Sequence, residues 1–343
     1  MSWWPLIKLL PQKTNFRFVR WAPLLGVIST LACIASLFFT LYPLTPPCGG
    51  LNCGVDFRGG SVMEFTAPRP VDLGVVRDAL EGSGLADVSV QNFSGPGDAS
   101  GTRSVSVRFR TPEDANPAQT VGRVQQTIAG AIGPVTYSRT DVVGPKVSGE
   151  LLVSGISALG VAVLLMLAYI WFRFGLTFGI GAVAGLAHDV LLTFGLFALF
   201  DLEFTLTSVA AILTIIGYGI NDTVVVLDRV RENLRKYKRL PMRDVIDLSI
   251  NETLSRTIMT GATGLMALTV LAVFGGGGEL FVFSIAMIFG IIIGTYSSLY
   301  VAAPVMMLLN VRRGGVRTDA EDDAEPIGPQ PATPGAGRPV PRP

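Results

Sequence analysis

Charge is scarce in this 343-residue chain: 15% of its residues are Asp, Glu, Lys or Arg, against roughly 25% in soluble proteins. Two water-facing domains of ordinary size could not be covered with so little charge, so much of the chain must face lipid. One histidine and three cysteines are too few for most zinc sites, which take four Cys/His ligands or three and an open position. A net charge of +1 lacks the basic excess of a nucleic-acid binder. The glycine run at 275–278 is not followed by Lys-Ser/Thr, so it is a turn rather than a phosphate loop, and no nucleotide-binding motif stands elsewhere. What the chain has in excess is apolar: 49% hydrophobic residues and a mean hydropathy of +0.50.

The apolar residues fall into uncharged runs long enough to cross about 30 Å of hydrocarbon, which takes roughly 20 helical residues. They lie at 21–42, 151–172, 174–200 (interrupted by His188 and Asp189), 204–227 (interrupted by Asp222), 257–278 and 280–309. The runs do not alternate as barrel strands do, and lipid requires the backbone to satisfy itself, so six spanning helices are predicted. The expected order is an N-terminal segment 1–21, spans at 22–42, 149–172, 175–200, 204–227, 257–276 and 280–309, a basic loop 228–256, and a disordered acidic and proline-rich tail 310–343. The first run is longer than a signal-peptide core and shows no small-x-small cleavage site, so it is read as a retained anchor.

Basic residues set the orientation. Lys8, Lys13, Arg17 and Arg20 precede the first span, Arg173 follows the second, and Arg229, Arg231, Arg235, Lys236, Lys238, Arg239 and Arg243 follow the fourth. Arg312, Arg313 and Arg317 follow the sixth, while the turns at 201–203 and 275–279 hold no basic residue. Both termini are therefore expected in the cytoplasm, with the 43–148 segment outside. Within 228–256, Ile246, Ile250 and Leu254 share one helical face, which predicts a helix lying along the interface.

The segment 43–148 is polar and patterned differently. Val62–Phe65 reads as a strand, Leu73, Val76 and Leu80 follow helical spacing, and Val88 and Val90 alternate with polar residues. Val105, Val107 and Phe109 alternate; Thr111-Pro112-Glu113-Asp114 has the capping residue, first-turn proline and acids of a helix start. Val121, Val124, Ile128 and Ile132 mark a helical face before a last strand from Val135 and Tyr137. The order is βαββαβ, a ferredoxin-like domain, with the Gly/Ser-rich stretch 94–102 as its middle loop. Cys48 and Cys53 at its entrance could close a small disulfide loop or stay free thiols; Cys33, in the first span, reads as a small packing residue.

Ionisable groups inside spans are costly and mark function. Asp222 follows Gly217-Tyr218-Gly219-Ile220-Asn221, in which the glycines admit a close neighbour and Tyr218 and Asn221 could bond the carboxylate. Arg256, at the expected start of the fifth span, is the candidate counter-cation. The choice lies between a proton relay and a fixed ion pair, and the relay is favoured because a buried pair stabilises poorly compared with apolar packing. His188 and Asp189 are also candidate members of the relay; they point about 100° apart on a helix and are not expected to share one partner, one facing the Asp222 region and the other a neighbouring helix. Gly181-x-x-x-Gly185 and Gly290-x-x-x-Gly294 are small-residue packing spacings.

Gly54-Val-Asp56-Phe57-Arg-Gly59-Gly60, just after the first span, resembles the GxDFxGG signature of the SecD/SecF family. Ala187-His188-Asp189, Gly217 to Asp222, Asp228-Arg-Val-Arg-Glu-Asn233 and Asn251-Glu-Thr-Leu-Ser-Arg256 resemble its SecF branch, in order and spacing over about residues 15–310. That resemblance implies a translocase subunit of the bacterial cytoplasmic membrane, within the resistance–nodulation–division superfamily. It implies a SecD partner, the SecYEG channel, YajC and YidC as associates, and an emerging unfolded preprotein as client. Late, ATP-independent export would be driven by the proton-motive force, with movement of the external domain. It carries the family's intramembrane aspartate and arginine to Asp222 and Arg256, and its signature turn to Gly54, Asp56, Phe57, Gly59 and Gly60. No cofactor or metal is implied beyond the coupling ion, a proton or sodium. Rival readings are an exporter of small molecules or lipids from the same superfamily, for which a single domain of about 105 residues is small, an intramembrane aspartyl protease using Asp189 and Asp222, and a membrane scaffold. The protease motif Gly-x-Gly-Asp is replaced here by Gly-Ile-Asn-Asp, and a scaffold leaves the buried acid unexplained.

Overall fold

The computed structural model of the protein describes residues 14–44, 48–92, 104–110, 117–275 and 278–308. Helix α1 (Phe18–Leu41) leads to a two-residue strand β1 (Asn52–Cys53) and a single helical turn α2 (Val55–Arg58). The soluble domain follows as β2 (Gly60–Thr66), α3 (Leu73–Glu81), β3 (Ala86–Asn92), β4 (Ser104–Arg110), α4 (Pro117–Ile132) and β5 (Thr136–Val143). Then come α5 (Pro145–Phe174), α6 (Leu176–Leu199), β6 (Glu203–Phe204), α7 (Leu206–Lys236) and α8 (Met242–Phe274). The last span is α9 (Gly278–Ser297), a π-helical turn (Ser298–Ala302) and α10 (Ala303–Leu308). Among the described residues, six helical segments are long and apolar enough to cross a membrane.

The domain is an antiparallel four-stranded sheet in the order β3-β4-β2-β5. This is the ferredoxin-like arrangement, produced because each βαβ crossover leaves a gap that a strand of the other unit fills. Alternation turns Val105, Val107 and Phe109 of β4 inward with Met63 and Phe65 of β2, onto Val76 and Leu80 of α3 and Val124 and Ile128 of α4. Asp72 starts α3, its Oδ1 accepting from Gly74 N at 2.8 Å. The helix start expected at Thr111-Pro112 and the 94–102 loop lie outside the described residues, as do 1–13 and the tail from 309.

In the bundle, α6 and α7 are the inner helices: 44% of each apolar stretch is buried, against 6% for α1 and α5. The acids of the spans therefore sit on the two most protected helices. Both small-residue spacings mark close crossings. A Cβ on Gly181 would lie 2.6 Å from the Ala302 carbonyl, and one on Gly294 3.5 Å from Gly219 Cα. Arg17, at the start of α1, gives its helix no side-chain cap. Helix α8 supplies one: Asp247 Oδ1 accepts from Val19 N at 2.9 Å. Asn251 brackets Phe16, just before the helix, accepting from its N–H at 3.0 Å and donating to its carbonyl at 2.8 Å, so α8 both meets an orphan donor of the first turn and holds the segment leading into it.

Two expected boundaries are corrected. The basic segment 228–256 contains no separate interfacial helix: α7 runs on to Lys236, and α8 is continuous from Met242, with Ile246, Ile250 and Leu254 buried in the bundle core. Their apolar face finds another helix to pack on, so it has no need of a lipid surface. The domain likewise begins at Gly60 rather than Pro43. Leu51, Cys53 and Phe57 belong to the membrane core cluster, while the domain core starts at Met63.

Candidate functional site

On the domain side of the bundle, the 54–60 motif is a joint. Strand β1 pairs in parallel with β6, and Gly54 N donates to the Phe204 carbonyl at 2.9 Å. A Cβ at Gly54 would lie 2.7 Å from Glu203 Oε1, which explains the glycine. Phe57 packs on Phe204 with ring centroids 5.8 Å apart. Gly59 and Gly60 have φ of 73° and 123°, conformations open to glycine at no steric cost. Asp56 Oδ2 accepts from Leu206 N at 2.9 Å, placing a carboxylate on the first N–H of α7, where the helix dipole favours it. Asp56→Ala should lower the stability of the detergent-solubilised protein by about 1 kcal/mol, as loss of a helix cap does, read as a fall in its thermal midpoint. Cys48 and Cys53 form a disulfide that closes the loop between α1 and β1.

The sheet is tied to the same rim by ion pairs. Arg108 of β4 meets Glu203 at 2.5 Å, and Arg139 of β5 meets Glu279 of α9 at 3.2 Å. Thr207 Oγ1 of α7 also donates to Glu279, at 2.8 Å. Arg108, Glu203, Arg139 and Glu279 line a cavity of about 380 Å³ together with Glu64 and Asp141. Burial pushes the Glu64 carboxyl above its usual range, with Arg139 acting the other way. A raised folded-state value means that the native protein holds the proton more tightly than the unfolded chain, so stability falls as pH rises through the interval between the two values. Glu64→Gln should flatten that decline, giving a thermal midpoint above wild type at alkaline pH and a smaller difference at acid pH.

The membrane site is built around Asp222, about 24 Å along α7 from Leu206 at 1.5 Å per residue. Its Oδ1 accepts from Thr257 Oγ1 of α8 at 2.5 Å, and its Oδ2 from Ser298 Oγ of the π turn at 2.9 Å. The expected ligands are not there. Neither Tyr218 nor Asn221 bonds the carboxylate. Asn221 is exposed, turned 100° from its neighbour, and Tyr218 directs its hydroxyl at α8, 3.9 Å from where a Cβ on Gly261 would be. No ion pair forms between Asp222 and Arg256; the charges interact only at longer range. Thr257 takes the face toward Asp222, which turns its neighbour Arg256 outward, where it is exposed.

His188 and Asp189, expected to point apart, bond to each other: Nδ1 and Oδ1 are 3.0 Å apart and both side chains are buried. Asp189 Oδ2 accepts from Ser297 Oγ at 2.8 Å and lies 3.3 Å from where a Cβ on Gly219 would be. The His188 ring stacks near Tyr296, whose hydroxyl is 2.7 Å from Ser29 Oγ. Sequence reasoning passed over Thr257, Ser297 and Ser298. Their signal was present: hydroxyl pairs in uncharged spans turn toward bundle interiors because lipid offers them no partner. In both membrane clusters a serine of the sixth span bonds the carboxylate, joined at Asp222 by Thr257 of α8 and at Asp189 by His188 of its own helix.

Residues 124–312 match the family described as protein export membrane protein SecD/SecF, C-terminal. A protein translocase subunit SecF of Cereibacter sphaeroides is 46% identical over 92% of this chain and 96% of its own length. That of Rhodobacter capsulatus is 42% identical over 92% and 95%. The crystal structure of SecDF, a translocon-associated membrane protein from Thermus thermophilus, superposes with a TM-score of 0.76 at 31% identity, covering 88% of this chain but 40% of that longer one. A second SecDF structure, in a super-membrane-facing form, gives a TM-score of 0.59 at 31% identity over 91% of this chain. With its six spans, its ferredoxin-like domain and its motif joint, the chain belongs to the SecF branch of the SecD/SecF family.

Proposed function

We propose that this chain is the SecF subunit of a SecDF assembly in a bacterial cytoplasmic membrane, and that it couples proton flow through Asp222 to movement of its external domain during late protein export. The observation that carries the reading is the pair of neutral hydroxyls on Asp222. Thr257 and Ser298 donate to the carboxylate, and a hydroxyl can equally accept from a carboxylic acid. Both protonation states are therefore satisfied without breaking an ion pair, as a group that gains and loses a proton in each cycle requires. The bonds run to α8 and to the sixth span, so protonation alters the contacts among three helices.

The outer ends of two of those helices hold the domain. Helix α7 is joined to the motif through Asp56, and to β4 through the adjoining Glu203 and Arg108. Helix α9 is joined to β5 through Glu279 and Arg139. A displacement of α7 against α9 is passed to two strands of one sheet, which would pull or hold an emerging polypeptide. A partner subunit is supported by the polar groups exposed along α7 and α8 within the spans: Thr214, Asn221, Arg256, Thr260 and Thr263. The three threonines bond carbonyls of their own helices, but lipid would leave the Asn221 amide and the Arg256 guanidinium without partners, and the similar SecDF chains are longer than this one, so SecD is the expected cover. SecYEG, YajC and YidC would be reached through that assembly. A protease reading fits less well, because catalysis needs two carboxylates sharing one proton, whereas each here is engaged by its own serine.

The test is export by SecD–SecF proteoliposomes with the channel present, ATP exhausted and a proton gradient imposed in sodium-free buffer. Wild type should advance a stalled preprotein, and a protonophore should stop it. Advance that ignores the protonophore, or that needs sodium, would overturn proton coupling.

A further inference from the structure

Among the described residues, one buried side-chain nitrogen or oxygen lacks a hydrogen-bond partner: His188 Nε2. Its side chain is 4% exposed, and an unpaired polar atom at that depth is costly and calls for a reason. The ring's other nitrogen, Nδ1, is bonded to Asp189. With Nδ1 as donor to the carboxylate, Nε2 is a bare lone pair inside the bundle, ready to take a proton.

The surroundings of Asp189 fix its place relative to Asp222. Its Oδ2 lies against Gly219 and near Gly294, at 3.3 and 3.7 Å from where their Cβ atoms would be. Gly219 is three residues before Asp222, so the two positions share a face of α7 one turn apart. Because α7 runs inward from the domain side, Asp189 is the outer of the two acids. Adjacent residues of the sixth span serve them: Ser297 donates to Asp189 and Ser298 to Asp222. The change from α to π winding falls between these serines, and such π turns occur frequently at functional sites. The other titratable groups facing Asp189 are the Cys33 thiol of α1, which feels its charge, and Tyr296, which lies beside His188.

We propose that Asp189 and His188 form a second proton-holding station, one helical turn on the domain side of Asp222, which loads first and hands its proton to Asp222 past the Ser297–Ser298 pair. This rests on the reading that Asp222 carries the coupling proton, and adds the direction and an intermediate stop. The bonds balance. Loading forms one O–H bond at Asp189: His188 Nε2 takes the incoming proton as Nδ1 passes its own to the carboxylate, so the ring stays neutral. Transfer breaks that bond and forms one O–H bond at Asp222. Nothing is oxidised or reduced.

The experiment is infrared pH titration of the reconstituted SecD–SecF complex carrying carbon-13 aspartate, read at the protonated-carboxyl stretch, with proton flux measured on the same vesicles. Two titrating bands are expected, one lost in Asp189→Asn and the other in Asp222→Asn, and each variant should lose about tenfold or more of the flux, as befits an obligatory buried ionisable group. Asp189→Glu should restore a second band, shifted from the aspartate position, and most of the flux. Ser297→Ala should keep both bands and slow the flux. A band set that Asp189→Asn leaves unchanged, or flux in Asp189→Asn within about twofold of wild type, overturns the station, twofold being under 0.5 kcal/mol. Should Asp189→Asn fail to assemble, the wild-type spectrum and the Asp189→Glu variant decide, since a single titrating band that Asp189→Glu leaves unmoved is equally fatal. If Asp222→Asn keeps its flux while Asp189→Asn loses it, the Asp222 reading fails and the outer station survives.

Discussion

Asp222→Asn is expected to leave the protein folded and assembled and to abolish the response of export to a proton gradient. The amide has the size of the carboxyl. Its oxygen still accepts from Thr257, and its NH2 donates to Ser298 Oγ, which can accept as readily as donate. Both interhelical contacts seen in the native site therefore survive, and the thermal midpoint should move little. What is lost is the exchangeable proton. One charge crossing 100 mV supplies about 2.3 kcal/mol, a bias of about fiftyfold on a two-state movement, and an amide cannot collect it. Thr257→Ala and Ser298→Ala make graded companions: each removes one of the two donors, weakening the charged form while leaving the acid able to titrate. Gradient-driven advance of a stalled preprotein should fall severalfold in these and vanish in Asp222→Asn. A wild-type response from Asp222→Asn would sink the relay.

Gly290→Ala should be strongly damaging. A Cβ there would collide with Ile215 Cγ1 and lie 2.6 Å from its Cδ1 and 2.8 Å from its Cγ2. Ile215 is buried on α7, and its β-branched side chain has one strongly preferred rotamer in a helix, so it cannot swing clear. Overpacking of this kind costs about 1–3 kcal/mol, and here it would wedge α7 from α9, the two helices that carry Asp222 and lead into the Ser297–Ser298 pair. The expected result is a lower thermal midpoint together with loss of proton flux, although the change lies two helical turns from Ser298. Ile215→Ala in the same chain should recover much of both, a non-additivity that identifies the contact as the cause. Equal damage in single and double variants would point to some other origin.

The six spans were legible because lipid imposes one requirement, an unbroken apolar helix, and charge-free runs report it directly. The domain order was legible for a similar reason: Val105, Val107 and Phe109 alternate because one sheet face is buried. The failures have a common physical source. Which side chain meets Asp222 depends on helix rotation and on partners far away in the chain, and neither leaves a local pattern. Arg256 attracted attention through its charge, yet the neutral Thr257 next to it takes the contact. Ile246, Ile250 and Leu254 marked an apolar face correctly, but periodicity is silent on whether lipid or another helix covers it. His188 and Asp189 were separated on the 100° spacing of backbone positions, whereas two flexible side chains bridge that angle with ease.

The two-residue ladder between β1 and β6 has a mechanical consequence. It fastens the stretch entering the four-stranded module to the stretch entering α7, and just past it come Gly59 and Gly60, both with positive φ. The module is thus mounted like a door on a fixed jamb. Its entry point cannot slide along the bundle without tearing the ladder, so under the proposed coupling its cheapest excursion would be a turn about the paired glycines, with a stroke set by how far the two arginine contacts at the rim open.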